Sequence, residues 1–372
     1  MRDDITALLG ALVAIDSVNP ELVPGGAGEA EIAAFVAGWA RDAGLVAERL
    51  EATPGRPSVL VRAPGRGGGR TLLLCAHLDT VGHDGMADPL AARVDGDRLY
   101  ARGAYDMKAG LAAALLACRA VAARGLAGDV VVAAVADEEH ASVGVQEALG
   151  AIRADAAIVT EPTELAVAIA HKGFVWAEIE VTGRAAHGSR PHLGVDAIVK
   201  AGPVLTALGE LDGALGEHPL VGRGSVHASL ISGGAELSSY PAQCVIGLER
   251  RTLPGETAAD VEAELDALLD GCRAADPELA AERRTLLVRE PFAVAEDAAI
   301  VRAVVDAADG RAGPVAGVSF WADSAFIAAA GIPTVLFGPG GAGAHAVEEW
   351  VSLADTEVVA RTLVRVAERL CA

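Results

Sequence analysis

The sequence lacks any apolar run of the roughly 18 residues that a membrane-spanning helix needs. Hydrophobic residues make up 52% of the chain, yet they are mostly Ala, Val and Leu in short runs. The N-terminal stretch carries Asp3 and Asp4 and has no small-residue cleavage site after its apolar part, which argues against a secretory signal. We therefore expect a cytoplasmic protein that does not bind membranes.

Excess positive charge and paired cysteines are absent too. The formal net charge of −21 at pH 7 argues against a nucleic-acid partner and against binding to an anionic membrane. The cysteines are odd in number, scattered, and without a C-x-x-C pair, which argues against a disulfide framework and a thiolate zinc site. They are Cys75, Cys118, Cys244, Cys272 and Cys371. This usage is typical of a reduced, cytoplasmic protein.

The length of 372 residues favours two domains over a single core. The first half of the chain alternates helical and strand patterns, which predicts an α/β domain with a mostly parallel sheet. The predicted helices are 29–43, 107–124 and 143–152, and the predicted strands are 57–63, 71–76, 129–136 and 156–160.

After His171 the pattern changes to the order β-α-β-β-α-β, which is the split βαβ plan. We therefore predict an α+β domain of ferredoxin-like type at 172–289, inserted into a first domain formed by 1–171 and 290–372. The segments expected to complete the first domain are a helix at 297–309, a strand at 334–338 and a helix at 353–370.

Histidines and carboxylates follow the predicted strands of the first domain or lie in its loops. In open α/β sheets, ligands bind at the edge beyond the carboxyl ends of the strands. Imidazole and carboxylate ligands without thiolates suit Zn²⁺, Co²⁺ or Mn²⁺, and a neighbouring carboxylate can move a proton. The residues are His77, Asp79, Asp106, Glu138, Glu139, Glu161 and His345. Together they predict a two-metal hydrolytic site.

Each of these residues has a simpler explanation when it is taken alone. An Asp-Glu-Glu run such as the one ending at Glu139 is usually a solvated loop. Asp106 directly precedes a predicted helix, where it also suits the N-cap position. Glu161 precedes a proline and His345 follows a glycine-rich loop, so both suit exposed turns. It is the combination that favours a metal site.

Seven segments contain these residues or lie between them. They are LLLCAHLDTV, LYARGAYDMKAGLAA, ADEEHASVG, VTEPTEL, HKGFVWAEIEVTGRAAHGSRP, ERRTLPGET and GIPTVLFGPGGAGAHAVEEWV. In order and approximate spacing they resemble the M20 family of metallopeptidases and amidohydrolases, over essentially the whole chain. That family includes acetylornithine deacetylase, succinyl-diaminopimelate desuccinylase, aminoacylase-1 and glutamate carboxypeptidase.

The resemblance implies that the first domain is catalytic and binds two divalent ions, with Zn²⁺ the first choice and Co²⁺ or Mn²⁺ the alternatives. It implies that Asp106 bridges both ions, while Glu139 and Glu161 bind one ion each. It also implies that His77 binds the first ion and that His345 completes the ligands of the second.

The resemblance implies further roles in catalysis and substrate binding. Glu138 is expected to be the general base and acid, and Asp79 to orient the first histidine ligand. The inserted domain is expected to act in dimerisation and as a lid. Its His187 is expected to reach the partner subunit's site and stabilise the oxyanion, which implies a homodimer. Arg251 is expected to bind the substrate carboxylate, with Arg289 assisting.

Two positions depart from the family pattern. Ser238 stands in SSYP at the position of the Asn in the family's N-x-x-P segment, so the substrate contact made by that Asn is not implied here. Ala109 replaces the first glycine of the family's K-G-G.

The function implied is hydrolysis of the amide bond of an N-acyl-L-amino acid, of the deacetylase or desuccinylase type. The alternative within the family is a carboxypeptidase or dipeptidase acting on short peptides, because both activities cleave an amide beside a free carboxylate. A binding or regulatory protein on the same fold is an alternative of another class. Such a protein is expected to lack the base or a metal ligand, and this sequence has all of them.

Overall fold

The computed structural model describes the whole chain, Met1–Ala372. The α-helices are α1 Arg2–Val13, α2 Ala30–Asp42, α3 Ala109–Ala122, α4 Val143–Ala151, α5 Ala197–Ala214, α6 Ala258–Ala275, α7 Ala299–Ala307, α8 Ser324–Ala329 and α9 Leu353–Leu370. No helix combines the length and the apolar character that crossing a bilayer requires.

The strands, some of only two or three residues, are numbered in chain order. They are β1 Val46–Leu50, β2 Ser58–Ala63, β3 Leu72–His77, β4 Arg93–Asp95, β5 Arg98–Tyr100, β6 Val130–Val135, β7 Ala156–Val159, β8 Val167–His171, β9 Gly173–Thr182, β10 Glu217–His218, β11 Gly222–Arg223, β12 Ser225–Gly233, β13 Gln243–Thr252, β14 Ala280–Arg289, β15 Phe292–Ala293, β16 Val315–Val318, β17 Thr334–Leu336, β18 Gly341–Ala342 and β19 Trp350–Ser352.

The chain divides into two compact units. The second unit comprises Ala170–Ala293 and the short segment Gly317–Trp321. The first unit comprises the remaining residues, which are Met1–Ile169, Val294–Ala316 and Ala322–Ala372. The second unit therefore interrupts the first in sequence.

The first unit is built on a mixed sheet with the strand order β1-β2-β6-β3-β7-β17-β8. The four central strands β6, β3, β7 and β17 are parallel to one another, whereas β1, β2 and β8 pair in antiparallel fashion. Strands β3 and β6 are buried along their whole length, which explains their almost continuously apolar sequences. The prediction of an α/β fold with a largely parallel sheet is confirmed.

Helix α3 packs against strands β2, β3 and β6. Its small residues let it lie close to the chain beyond β7, since a Cβ atom on Gly110 would be 2.1 Å from the carbonyl oxygen of Thr160. Helices α1 and α9 cover the other side of α3. The start of α3 is thereby held directly beside the carboxyl end of β7.

A small antiparallel sheet in the first unit has the order β18-β19-β5-β4. Trp350 of β19 pairs with Tyr100 of β5, and Val351 pairs with Leu99. These short strands join two segments that are about 250 residues apart in sequence, and the loop before β19 carries His345.

The second unit contains the antiparallel sheet β12-β13-β9-β14. Helices α5 and α6 pack on this sheet, and their chain order with the strands is β-α-β-β-α-β. Helix α6 begins at a capping box in which Thr257 and Asp260 bind each other's backbone N–H groups. Strand β12 is an edge strand, and its Leu230 and Ile231 side chains are 75% and 56% exposed.

All five cysteines are buried and none is in a disulfide.

Candidate active site

Three neighbouring parallel strands end at one edge of the sheet in the first unit. Strand β3 ends at His77, which lies opposite the last residue of β6. The chain continues from β6 into Glu138 and Glu139, and from β7 into Glu161. The ordering of parallel strands therefore brings side chains from three separate segments to one place, as expected for this type of sheet.

His77 lies in the centre of this group. Its Nε2 atom is 3.2 Å from Oδ1 of Asp106 and 4.0 Å from Oε1 of Glu161. Its Nδ1 atom is 2.9 Å from the backbone carbonyl oxygen of Asp79. A ring that donates Nδ1–H to this carbonyl keeps the Nε2 lone pair free to bind a metal ion.

His345 approaches the same group from the glycine-rich loop. Its Nε2 atom is 3.3 Å from Oδ2 of Asp106 and 3.2 Å from Oε2 of Glu139. The two oxygens of the Asp106 carboxylate thus contact two different imidazoles, those of His77 and His345. This is the arrangement that a bridging carboxylate requires.

The available ligand atoms fit divalent cations. His77, Glu138 and Glu161 can place one ligand atom each within 4.8 Å of one another, and so can His77, Asp106 and Glu139. Oε1 of Glu139 is buried without a hydrogen-bond partner. A buried carboxylate oxygen without a donor is costly unless a cation binds it. Imidazole and carboxylate ligands suit Zn²⁺, Co²⁺ or Mn²⁺.

Burial raises the pKa of the three glutamates. For Glu138 the shift is large, and the charge of Glu161 adds to it. For Glu139 the charge of Asp106 adds to the effect of burial. Burial raises the pKa of Glu161 to about 8, although the nearby His77 opposes the shift. Several carboxylates therefore lie close together at this site, and bound cations would reduce the repulsion between their negative charges.

The pKa values of the two histidines are raised, which favours their protonated forms. Burial disfavours the charged form of His77, but the hydrogen bond with Asp106 and the charge of Glu161 outweigh it and raise the pKa. Contacts with Asp106 and Glu139 raise the pKa of His345 to about 10. Burial also opposes ionisation of Asp106, yet the two histidine contacts lower its pKa. Metal binding therefore has to displace protons from this site.

Asp79 lies behind the site and is fully buried. Its carboxylate accepts the backbone N–H groups of Glu138 at 3.1 Å and Glu139 at 3.2 Å. Its Oδ1 atom is 3.7 Å from Nδ1 of His77, farther than the backbone carbonyl. Asp79 thus contacts the histidine through its main chain and the glutamates through its side chain.

Asp106 precedes helix α3 but does not cap it. The helix begins at Ala109 with Lys108 at the N-cap, and the backbone angles of Asp106 and Met107 before it are not helical. The backbone N–H of Asp106 donates to Oε1 of Glu349 at 3.1 Å. The side chain of Asp106 is consequently free to contact the two histidines.

Sequence reasoning missed Glu349. It is buried, and besides Asp106 it accepts the N–H groups of Gly103 and Tyr105 and pairs with Arg102 at 2.7 Å. Nothing in the local sequence distinguishes it from the exposed Glu348 beside it, since its partners are more than 240 residues away.

The other predicted residues belong to the second unit. His187 is exposed, and its Nδ1 atom accepts the N–H of Ser189 at 3.2 Å. Arg251 donates from Nε to Oε1 of Glu249 at 2.7 Å, and its guanidinium lies 5.0 Å from the ring centre of Phe174.

The remaining two positions in the second unit differ in burial. Arg289 is buried, donates to the carbonyl of Val288 and lies 5.5 Å from the ring centre of Trp321. Ser238 is exposed, and its carbonyl accepts the N–H of Gly188 at 2.7 Å.

Known proteins resemble this chain in sequence and in fold. Acetylornithine deacetylase from Myxococcus xanthus is 32% identical over 100% of this chain and 99% of that protein. The M20 family metallo-carboxypeptidase Sso-CP2 from Sulfolobus solfataricus superimposes with a TM-score of 0.79 at 19% identity, covering 97% of this chain and 98% of that one. The YXEP protein of Bacillus subtilis, described as a dinuclear metal-binding peptidase from the M20 family, gives a TM-score of 0.78 at 16% identity and covers 98% of that chain and all of this one.

A family model provides the decisive match. The model described as peptidase family M20/M25/M40 matches residues 73–369, which include every strand of the central sheet except β1 and β2. The resemblance seen in the sequence is confirmed, and this chain is a hydrolase that belongs to peptidase family M20/M25/M40.

Proposed function

We propose that this hydrolase cleaves the amide bond of an N-acyl-L-amino acid at a two-metal site. The observation that carries the proposal is the Asp106 carboxylate between His77 and His345, with the half-buried Glu138 in the same group. The full-length similarity to acetylornithine deacetylase supports a deacylase of the deacetylase or desuccinylase type.

The distances support a division of the ligands between two ions. His77 and Glu161 would bind one ion, His345 and Glu139 would bind the other, and Asp106 would bind both. When bound, such ions polarise a carbonyl and lower the pKa of a water molecule. Zn²⁺ is the first choice, with Co²⁺ or Mn²⁺ as alternatives.

Glu138 is the general base and acid. It removes a proton from the attacking water and delivers it to the nitrogen of the leaving amine. Burial favours its protonated form, which suits a group that must hold a proton between the two steps. The Asp79 carboxylate positions Glu138 by accepting the backbone N–H group of Glu138. The backbone carbonyl of Asp79 holds the ring of His77.

His187 stabilises the developing oxyanion of the partner subunit's reaction. Because Nδ1 accepts a backbone N–H, the proton of the neutral ring lies on Nε2, which can donate to an oxyanion. This role requires a homodimer. The edge strand β12, with Leu230 and Ile231 exposed, is the kind of surface that a second copy covers.

Arg251 binds the substrate carboxylate, and Arg289 assists. Glu249 occupies only Nε of Arg251, and its other oxygen accepts the indole N–H of Trp176 at 2.8 Å. The two terminal nitrogens of Arg251 therefore remain available for a bidentate pair with a carboxylate. In this proposal the first unit is the catalytic domain, and the second unit is the lid and dimerisation domain.

A carboxypeptidase or dipeptidase is the second candidate function. The similarity in fold to the metallo-carboxypeptidase Sso-CP2 favours it. The same site serves both reactions, since each cleaves an amide beside a free carboxylate.

The five buried, unpaired cysteines support a cytoplasmic location.

A substrate panel tests the proposal directly. Enzyme stripped of metal is assayed with acetyl, succinyl and aryl-acyl amino acids and with dipeptides, with Zn²⁺, Co²⁺ or Mn²⁺ added back. We expect metal-dependent hydrolysis of at least one acyl amino acid, and faster turnover of it than of any dipeptide. Preferential cleavage of dipeptides would establish the second candidate, and activity without metal would overturn both.

A further inference from the structure

We propose that Arg56 is a positioning residue for the turn that carries Glu138 and Glu139, and that it acts through Asp137. This inference rests on the proposed role of Glu138 as the general base. It assigns a catalytic purpose to a buried ionic group that the mechanism above does not use.

Asp137 determines the direction in which the chain leaves strand β6. Its φ angle is +67°, a left-handed conformation that is unfavourable for a residue with a Cβ atom. Its carbonyl accepts the N–H of Ala141 at 3.1 Å, which closes the turn containing Glu138 and Glu139. The directions of both glutamates therefore depend on what holds Asp137 in this conformation.

Three groups hold Asp137, which is 1% exposed. Its Oδ1 atom forms an ion pair with Nη1 of Arg56 at 2.8 Å and accepts a hydrogen bond from Nδ2 of Asn19 at 3.0 Å. Its backbone N–H donates to Oε1 of Glu29 at 3.2 Å. Both the side chain and the main chain of the turn are thus fixed from outside the turn.

Arg56 joins Glu29 to Asp137. Its Nε and Nη2 atoms form a bidentate pair with Glu29 at 2.8 and 2.6 Å, while Nη1 reaches Asp137. Arg56 is 7% exposed and Glu29 is fully buried. The planar guanidinium can span two carboxylates with fixed geometry, which the single ammonium group of a lysine cannot do.

Asn19 extends the network to the other end of the turn. Its second Nδ2 hydrogen bond goes to Oδ2 of Asp79 at 2.8 Å, and Asp79 binds the N–H groups of Glu138 and Glu139. The turn is therefore held at Asp137 and at both glutamates by one connected set of buried groups. A displacement of about 1 Å in a reacting group can cost roughly a hundredfold in rate, so loss of this set should slow the reaction.

The test compares kcat and KM of metal-saturated variants, each assayed well below its own melting temperature. We expect Arg56→Lys to lower kcat about tenfold or more and to change KM less than about threefold. Asn19→Ala should have the same effect, and it decides the matter if Arg56→Lys does not fold. Arg62→Lys is the matched control, because Arg62 pairs with Asp129 near the surface at the other end of β2.

Native kcat in every folded variant of Arg56 and Asn19 would refute the positioning role of Arg56. A lowered melting temperature with native kcat would show that the ion pair only stabilises the fold. Glu138→Gln separates this failure from failure of the proposed function. Native activity of Glu138→Gln would overturn the proposed function itself. An inactive Glu138→Gln beside fully active Arg56 and Asn19 variants would overturn only the positioning role.

Discussion

Glu349 binds the main chain of Asp106, with its Oε1 atom 3.1 Å from the Asp106 nitrogen. The same carboxylate pairs with Arg102 in a buried setting. The loop that presents the Asp106 carboxylate, the proposed bridging ligand, is thus held by an acid that contacts neither histidine. Groups of this kind commonly change metal affinity by about tenfold to a hundredfold when they are removed.

Replacement of Glu349 should weaken metal binding. In Glu349→Ala the N–H of Asp106 and Nη1 of the buried Arg102 lose their acceptor, so we expect the affinity for divalent ions to fall about tenfold or more. Competition with a chromophoric chelator measures this change. Glu348→Ala is the control, because Glu348 is exposed, and equal affinities in the two variants would contradict the assignment.

Replacement of Glu138 should separate metal binding from catalysis. We expect Glu138→Ala to retain both ions but to lose at least about a hundredfold in kcat, because the proton acceptor is gone while the five proposed ligands remain. Metal content and turnover are measured on the same sample. Near-native turnover at full metal occupancy would eliminate Glu138 as the base.

The metal-free protein should lose stability as the pH rises. Glu161 has a pKa raised from 4.5 to about 8 in the folded state, so its favourable contribution is complete below about pH 4.5 and is lost toward pH 8. His345, raised from 6.5 to about 10, changes stability in the same direction at higher pH. We expect the melting temperature of chelator-treated protein to fall between about pH 5 and pH 9.

Metal-loaded protein is the control for this pH series. Its ligands must be deprotonated, so the increase in melting temperature caused by metal should grow with pH. A metal-free protein that becomes more stable from pH 5 to pH 9 would contradict the assigned pKa shifts.

Arg251 should affect substrate binding through its geometry as well as its charge. Arg251→Lys keeps the charge but loses the planar fork, and we expect KM to rise about tenfold for substrates with a free carboxylate. Arg284→Lys is the matched control, since Arg284 is an exposed arginine on strand β14 paired with Glu178. An unchanged KM in Arg251→Lys would place the carboxylate elsewhere.

A charge on strand β12 should disrupt the proposed dimer. We expect Leu230→Arg to sediment as a monomer and to lose activity, because His187 would no longer reach a partner's site. Val305→Arg, at a partly exposed position of helix α7, should behave like the unmodified protein. A fully active Leu230→Arg monomer would remove the catalytic role of His187 across subunits.

The long elements could be predicted from sequence because their patterns are local. Helix α9 occupies the predicted range 353–370, and β3 lies within one residue of its predicted range. The short strands β5 and β19 escaped prediction, since their pairing of Tyr100 with Trp350 depends on a contact between distant segments. Two or three residues carry too little periodicity to reveal such a strand.

The residues of the candidate site also differ in how far the sequence could predict them. The carboxylates at the ends of β6 and β7 could be expected to meet because parallel strands end at one edge. Glu349 and Arg56 could not be recognised, since a single acid or arginine gives no local sign of a buried partner far away in sequence. Asp79 was expected to use its carboxylate on His77, whereas the carboxylate faces the tandem glutamates.

The five buried cysteines provide the chain with its own reporters of local opening. Cys75, Cys118 and Cys371 belong to the first unit, and Cys244 and Cys272 belong to the second. A thiol reagent can modify each of them only when the surrounding structure opens. Mapping the modified cysteines over time would therefore give separate opening free energies for the two units, in the unaltered protein and without any engineered label.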